Sequence, residues 1–479
     1  MSARLDLLVK NLFVFGGSAV LSRSINVIGL PVLAWIVSDA AVLGRFDLLI
    51  VVASLGASLA NLGMNEAAHK IYFDYSSTAE KRAVMSTLLG LGGGLAILFS
   101  ILIGISVWAA QQYDFFEGTS YVFPIWAAFF VLAFRLRFLT QTALVVENKR
   151  FEIAGVALGE IAIFYIVAIG LCWLVDADDA VLQPVRFVSV ILAAIFLFRK
   201  GFYKWCRGAI DYEVGKRLFR LGFPLCLSSV FYWALAFSDR VIVGGFLGAT
   251  ALGTYAVCAK FSAIAELFRV AINQGMAYFI YSTAKETGHD RRMYLIASCV
   301  LTLAAFLFAL SYWLAPVAVY YLLPSEYGQA SIIIPYLITG PLLLTGFQIV
   351  GAELVLSERT IWITITQVCG VLVAVSFSLL TINVLGIRGP AIGAFLGYAV
   401  MLLSVLAAVL AIGKKKYAMR LAIWLAPLAM SFVTTFSGNN IVNVAGILIG
   451  LGTPAWWMVV NRGECFRLAD TVFKLLPKL

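Results

Sequence analysis

Apolar residues fill this chain in blocks of roughly 20, a length that matches the hydrocarbon core of a bilayer, divided by short polar or charged stretches. Inside the blocks hydrophobic positions do not alternate with period two, so they read as helices and not as barrel strands. The pattern predicts fourteen spans, over 11–37, 41–63, 83–109, 120–146, 152–175, 180–198, 220–246, 252–280, 293–316, 331–354, 361–383, 389–412, 420–437 and 441–461. The hydrocarbon core offers the backbone no hydrogen-bond partners and so accepts only helices or closed barrels. The expected fold class is therefore an all-α polytopic membrane protein. The first block is too long for a signal-peptide core and no small-residue cleavage site follows it, which predicts that it is retained.

The loops test this count. With the N-terminus inside, the inner segments carry Arg4 and Lys10; Lys70, Lys81 and Arg82; Lys149 and Arg150; a run from Arg199 to Arg220; Lys285, Arg291 and Arg292; Arg359; Lys414, Lys415, Lys416 and Arg420; and Arg462, Arg467, Lys474 and Lys478. The outer segments carry Arg388 alone and include the acidic run Asp176-Ala177-Asp178-Asp179. Lys and Arg are retained on the cytoplasmic side, so an alternation this regular supports the span count and places both termini in the cytoplasm. No outer segment is long enough for a catalytic domain. The longest inner connection, near 199–219, is basic and aromatic and reads as an interfacial segment between two halves.

Composition agrees with the pattern. Of 479 residues, 62% are hydrophobic and 13% charged, too few to cover a soluble protein of this size. The net charge of +10 then reports membrane orientation, not a nucleic-acid partner. The seven cysteines form no CxxC pair, which argues against a metal site or disulfide framework. His69 and His289 fall in polar connecting segments. No GxxxxGK[ST] loop is present, so a nucleotide-driven pump would need a partner. No cofactor is expected.

A weak internal repeat is visible. Ala41-Val42-Leu43-Gly44-Arg45-Phe46 resembles Thr250-Ala251-Leu252-Gly253-Thr254-Tyr255 at an offset of 209 residues. This predicts two six-helix lobes, 1–200 and 220–412, joined by a linker over 201–219, with two further spans and a tail over 413–479. Such repeats typify transporters whose substrate site lies between the halves. Asp47, Ser54, Ser58, Asn61 and Asn65 share one helical face, and Ser262, Glu266, Arg269 and Asn273 repeat that spacing. A polar stripe of this kind faces neighbouring helices or a wet cavity. Interhelical hydrogen bonds from Ser54 and Ser58, and an internal Glu266–Arg269 pair, are the structural alternatives.

Eight basic residues lie outside the loops. Arg45, Arg186 and Arg240 are near outer ends, where long side chains reach the interface. Arg23, Arg135, Arg137, Lys260 and Arg269 are deeper, and each costs about 2.5–3.5 kcal/mol on insertion scales unless paired or hydrated. The deep acids, Glu160, Glu266 and Asp239, are fewer. Surplus positive charge attracts an anion, and planar guanidinium groups suit phosphate oxygens.

The run Ser238-Asp239-Arg240-Val241-Ile242-Val243-Gly244, then Gly248-Ala249-Thr250-Ala251-Leu252-Gly253-Thr254-Tyr255, resembles the polysaccharide and O-antigen flippases of the multidrug/oligosaccharidyl-lipid/polysaccharide exporter superfamily. Leu322-Leu323-Pro324-Ser325-Glu326-Tyr327-Gly328 and Gly386-Ile387-Arg388-Gly389-Pro390-Ala391 resemble it too. The resemblance implies a non-enzymatic flippase that moves undecaprenyl-pyrophosphate-linked oligosaccharide across the bacterial inner membrane by alternating access. Polysaccharide polymerase and chain-length proteins would be its partners. The site residues that follow are Arg23, Arg135, Arg137, Lys260, Arg269, Asn61, Asn65 and Asn273 for pyrophosphate and sugar. Glu160, Glu266 or Asp239 would couple a proton or sodium gradient. A drug antiporter of the same superfamily would want a cavity richer in acids. An oligosaccharide polymerase or ligase would want a large outer loop. A lipid II flippase fits the same charges.

Overall fold

The computed structural model describes residues 21–462 apart from 22–23, 27, 38, 114–118, 148, 176–178, 206–207, 270–271, 273–288, 358, 414 and 437–439. Every regular element among the described residues is helical. In chain order these are α1 (Ser24–Ile36), α2 (Ala40–Asn61), α3 (Met64–Asp74), α4 (Thr78–Gln111), α5 (Phe123–Val146), α6 (Arg150–Leu174) and α7 (Asp179–Leu197). There follow α8 (Tyr212–Ala259), α9 (His289–Leu322), α10 (Ile334–Leu356), α11 (Ile361–Leu385), α12 (Arg388–Ala411), α13 (Met419–Thr434) and α14 (Asn440–Val460).

Eleven helices among the described residues are long and apolar enough to cross a membrane. The helical stretch Tyr212–Arg269 covers the expected seventh span and the eighth as far as Arg269; most of 270–280 lies outside the described residues. Non-helical backbone at Gly248, with φ 82°, divides it at the expected turn. The shorter apolar helix α1 falls within the expected first span, whose residues 11–20 lie outside the described ones, and α13 falls at the thirteenth.

Polar residues start the helices where the sequence places them. Asp39 Oδ1 accepts from the Ala41 N–H at 2.8 Å. Ser77 and Glu80 form a reciprocal capping box at the head of α4. The basic linker folds onto the bundle: the Trp205 indole N–H donates to Glu147 at 2.9 Å, and Ser86 Oγ donates to the Trp205 carbonyl.

Outward faces are apolar. Ile97, Leu98, Ile101, Leu102 and Ile105 form an exposed stripe on α4, as a lipid-facing helix requires. Inward faces carry small residues that let backbones approach, the usual packing device in lipid. A Cβ on Gly370 of α11 would press on the Gly397 carbonyl of α12.

The repeated motifs meet. A Cβ on Gly44 of α2 would collide with the Ala249 carbonyl oxygen, and one on Gly253 of α8 with the Ala40 carbonyl oxygen. Gly44 and Gly253 are 209 residues apart, and so are Ala40 and Ala249, the offset of the repeat. α2 and α8 therefore cross backbone to backbone, with local two-fold symmetry, at the end of the bundle predicted to carry the acidic loops. At the opposite end a second close approach joins Gly63, in the left-handed turn between α2 and α3, to Gly222 of α8.

Candidate site: polar chambers within the helical bundle

The polar face of α2 lines cavities, as its spacing predicts. Ser54, Ser58, Asn61 and Asn65 border a chamber of about 520 Å³ with Arg135, Ser228, Trp233, Gln348 and Gln367. Helices from both halves of the chain supply this wall. Its side chains are mostly neutral and hydrogen-bonding, with Tyr232, Trp233, Phe237 and Phe138 between them. Trp233 Nε1 donates to Ser54 Oγ at 2.8 Å, and Ser228 Oγ donates to Gln367 Oε1 at 3.0 Å.

Arg135 is fully buried beside this chamber. Its Nη1 donates to both Asn61 Oδ1 and Asn65 Oδ1 at 3.0 Å, and Asn61 Nδ2 in turn donates to Glu66 at 3.0 Å. Among the described residues its Nε and Nη2 are buried without a hydrogen-bond partner. A buried guanidinium held by neutral amides keeps a positive field, which the nearby Glu66 opposes.

Two smaller chambers lie toward the acidic-loop end. One, of about 240 Å³, is bordered by Tyr232, Phe237, Asp239, Arg240, Lys260, Ser262, Glu266 and Tyr398. The other, of about 130 Å³, is bordered by Asn26, Asp47, Tyr165, Arg186 and Lys260. Lys260 stands on the wall of both, while Tyr232 and Phe237 border both the 240 Å³ and 520 Å³ chambers. Asp47 faces Arg240 Nη1 at 3.4 Å and Lys260 Nζ at 3.5 Å.

The predicted cations do not form one cluster. Arg135 and Arg137 are two residues apart on α5, about 200° around a helix of 3.6 residues per turn. Arg135 therefore turns to the chamber while Arg137 turns to α6, where its Nε pairs with Glu160 at 2.7 Å. Arg186 of α7 pairs with the same carboxylate at 2.9 Å. Arg269 is bound by both oxygens of Glu266, the i, i+3 pair named as the structural alternative. Asp239 accepts from the Tyr255 hydroxyl and from the Arg240 N–H. Arg23 and Asn273 lie outside the described residues.

Three expectations need correction. Arg186 and Arg240 do not reach out to the interface; both turn inward to carboxylates, with side chains 18% and 14% exposed. The deep acids include Asp47, which heads the α2 stripe and is buried. Its position on that stripe was the signal. His289 is not in a polar connection but buried against Glu353 of α10, at 3.3 Å. The amides Gln348 and Gln367 gave no signal, since single amides inside apolar runs carry no period.

The sequence pattern of the polysaccharide biosynthesis protein family matches residues 8–282, more than half of the chain. The chain belongs to that family. No curated protein sequence matches it. Among solved structures it is similar to the lipid II flippase MurJ in an inward closed conformation, with TM-score 0.67 and 15% identity over 95% of this chain and 100% of that one. It is also similar to a multidrug resistance MATE family transporter of the MOP superfamily in an inward-facing conformation, with TM-score 0.57 and 16% identity over 85% and 95%. The Vibrio cholerae MATE transporter VcmN in its bent form matches with TM-score 0.52 and 15% identity over 88% and 98%. At these identities the likeness establishes the fold alone. The reading as a multi-pass transporter-type protein and not an enzyme agrees with the family and the fold.

Proposed function

We propose that this protein is a flippase carrying undecaprenyl-pyrophosphate-linked oligosaccharide, a repeat unit of O-antigen or polysaccharide, from the inner to the outer leaflet of the bacterial inner membrane. One observation carries the reading: basic side chains stand on the walls of three polar chambers, two of them lined from both the first and the second half of the chain and the third by residues 232–398 alone. Arg135 borders the large chamber, and Lys260 and Arg240 border the smaller ones. A diphosphate must cross hydrocarbon at a cost that such cations offset. Hydroxyl, amide and aromatic groups around the large chamber suit sugars. The lipid tail stays in the bilayer beside the bundle, and both termini are cytoplasmic. The two halves, 1–200 and 220–412, would rock about the 201–219 linker in alternating access.

Of the three candidate coupling carboxylates, Glu266 and Asp239 border the 240 Å³ chamber, whereas Glu160 lines none of the three chambers described. Glu266 is the coupling group in this reading, because a proton or sodium ion arriving there would loosen its hold on Arg269. Depleting the protein should trap lipid-linked saccharide on the inner leaflet. Purified protein in liposomes should move such a lipid between leaflets, faster with an imposed ion gradient. Unchanged leaflet distribution in both experiments would reject the function.

A further inference from the structure

Asp47, Arg240 and Lys260 are held less closely than the arginine pairs on Glu160 and Glu266. Glu160 holds its arginines at 2.7 and 2.9 Å. Asp47 lies 3.4 and 3.5 Å from its two cations. Its Oδ2 and the Arg240 Nε are buried and make no hydrogen bond among the described residues. One carboxylate thus sits loosely between a guanidinium and an ammonium, with hydrogen-bonding capacity unused on both sides. Buried polar atoms are normally satisfied, so the arrangement asks what else these groups bind.

Position supplies an answer. Asp47 is on α2 in the first half, whereas Arg240 and Lys260 belong to the second. Lys260 borders both smaller chambers and Arg240 borders one of them. Asp47 is also one helical turn from Gly44, where the two halves cross against Gly253. We infer that Arg240 and Lys260 form a diphosphate-binding site whose occupant in this closed arrangement is the protein's own Asp47.

This inference rests on the proposed function for its ligand, and it names the cations that bind the headgroup. A diphosphate presents more charge and more oxygens than a carboxylate, and a guanidinium takes phosphate oxygens two at a time. It therefore displaces a loosely held Asp47. Displacement removes the ionic link between the halves beside the glycine crossing. The bound headgroup thereby shifts the equilibrium toward separation at that end, since it binds the released state better than the linked one.

The test uses full-length protein in lipid nanodiscs, with inorganic pyrophosphate and undecaprenyl diphosphate as probes and calorimetry as the readout. D47N should bind at least tenfold tighter than wild type, because the competitor's charge is gone. D47E, which keeps the charge, should bind like wild type. D47N/R240Q and D47N/K260Q should each lose at least tenfold relative to D47N. A preference for undecaprenyl diphosphate would identify a lipid headgroup as the ligand, and equal binding of both probes free phosphate chemistry; either supports the site. Size-exclusion elution and thermal unfolding report whether each variant is folded. D47N binding no tighter than wild type would overturn the role of Asp47. Binding indifferent to R240Q and K260Q would overturn the site. Absence of binding in folded protein that still flips lipid-linked saccharide would reject this inference alone, and absence of both would reject the proposed function as well.

Discussion

Replacing Glu160 with Gln removes the buried carboxylate that the half-buried Arg137 and Arg186 share. Arg137 and Arg186 approach it at 2.7 and 2.9 Å, and its side chain is 5% exposed. Two unit charges about 4 Å apart attract by roughly 4 kcal/mol at an effective dielectric of about 20. Glu160 makes two such attractions, offset in part by repulsion between the guanidiniums. In the variant that repulsion is unopposed. Removing one partner of a buried ion pair costs about 3–5 kcal/mol. With an unfolding entropy of about 2 cal/mol/K per residue, this lowers Tm by about 3–5 °C for a chain of this length. The assay is thermal unfolding of E160Q, R137Q and the double variant in detergent. The double variant should be less destabilised than the sum of the singles by about 1–3 kcal/mol, the coupling expected of residues in contact. Additivity within about 0.5 kcal/mol, or an E160Q protein as stable as wild type, would refute the pairing.

Other substitutions test other parts of the structure. Gly44→Val and Gly253→Val each push a side chain into a facing carbonyl, so the acidic-loop end should fail to close; cysteines placed on the two helices beside the crossing should cross-link less in either variant than in the parent. Arg269→Ala should abolish lipid-linked saccharide export while protein remains in the membrane, read by leaflet analysis and by immunoblot of the membrane fraction; undiminished export would remove Arg269 from the transport path. Asn61→Ala with Asn65→Ala takes both acceptors from Arg135 Nη1 and should destabilise the protein by about 1.5–3 kcal/mol per hydrogen bond to a charged group, seen as a lower Tm. Arg135→Met in that background should recover part of the loss.

The sequence alone determined what the bilayer selects. Blocks of apolar residues of one length, with Lys and Arg on alternate sides, specify a helical bundle, because hydrocarbon tolerates no unsatisfied backbone. The phase of the polar stripe was legible as well: Ser54, Ser58 and Asn61 of α2 had to leave the lipid, and they border one chamber together with Asn65, which the turn at Leu62–Gly63 places on α3 and not on the same helix. Even the 209-residue echo had a physical meaning, since Gly44 and Gly253 lie at one of the points where α2 and α8 cross backbone to backbone.

Which charges answer one another was decided only by tertiary structure. Arg135 and Arg137 look equivalent in the chain, but a helix turns them to opposite sides, one toward neutral amides and one toward Glu160. Lys260 meets Asp47, 213 positions away, because two halves of the chain pack on each other. A linear pattern records how far a side chain lies from the membrane surface. It does not record the neighbour across the helix interface, and in a medium of low dielectric that neighbour decides whether a charge is structural or open to a ligand.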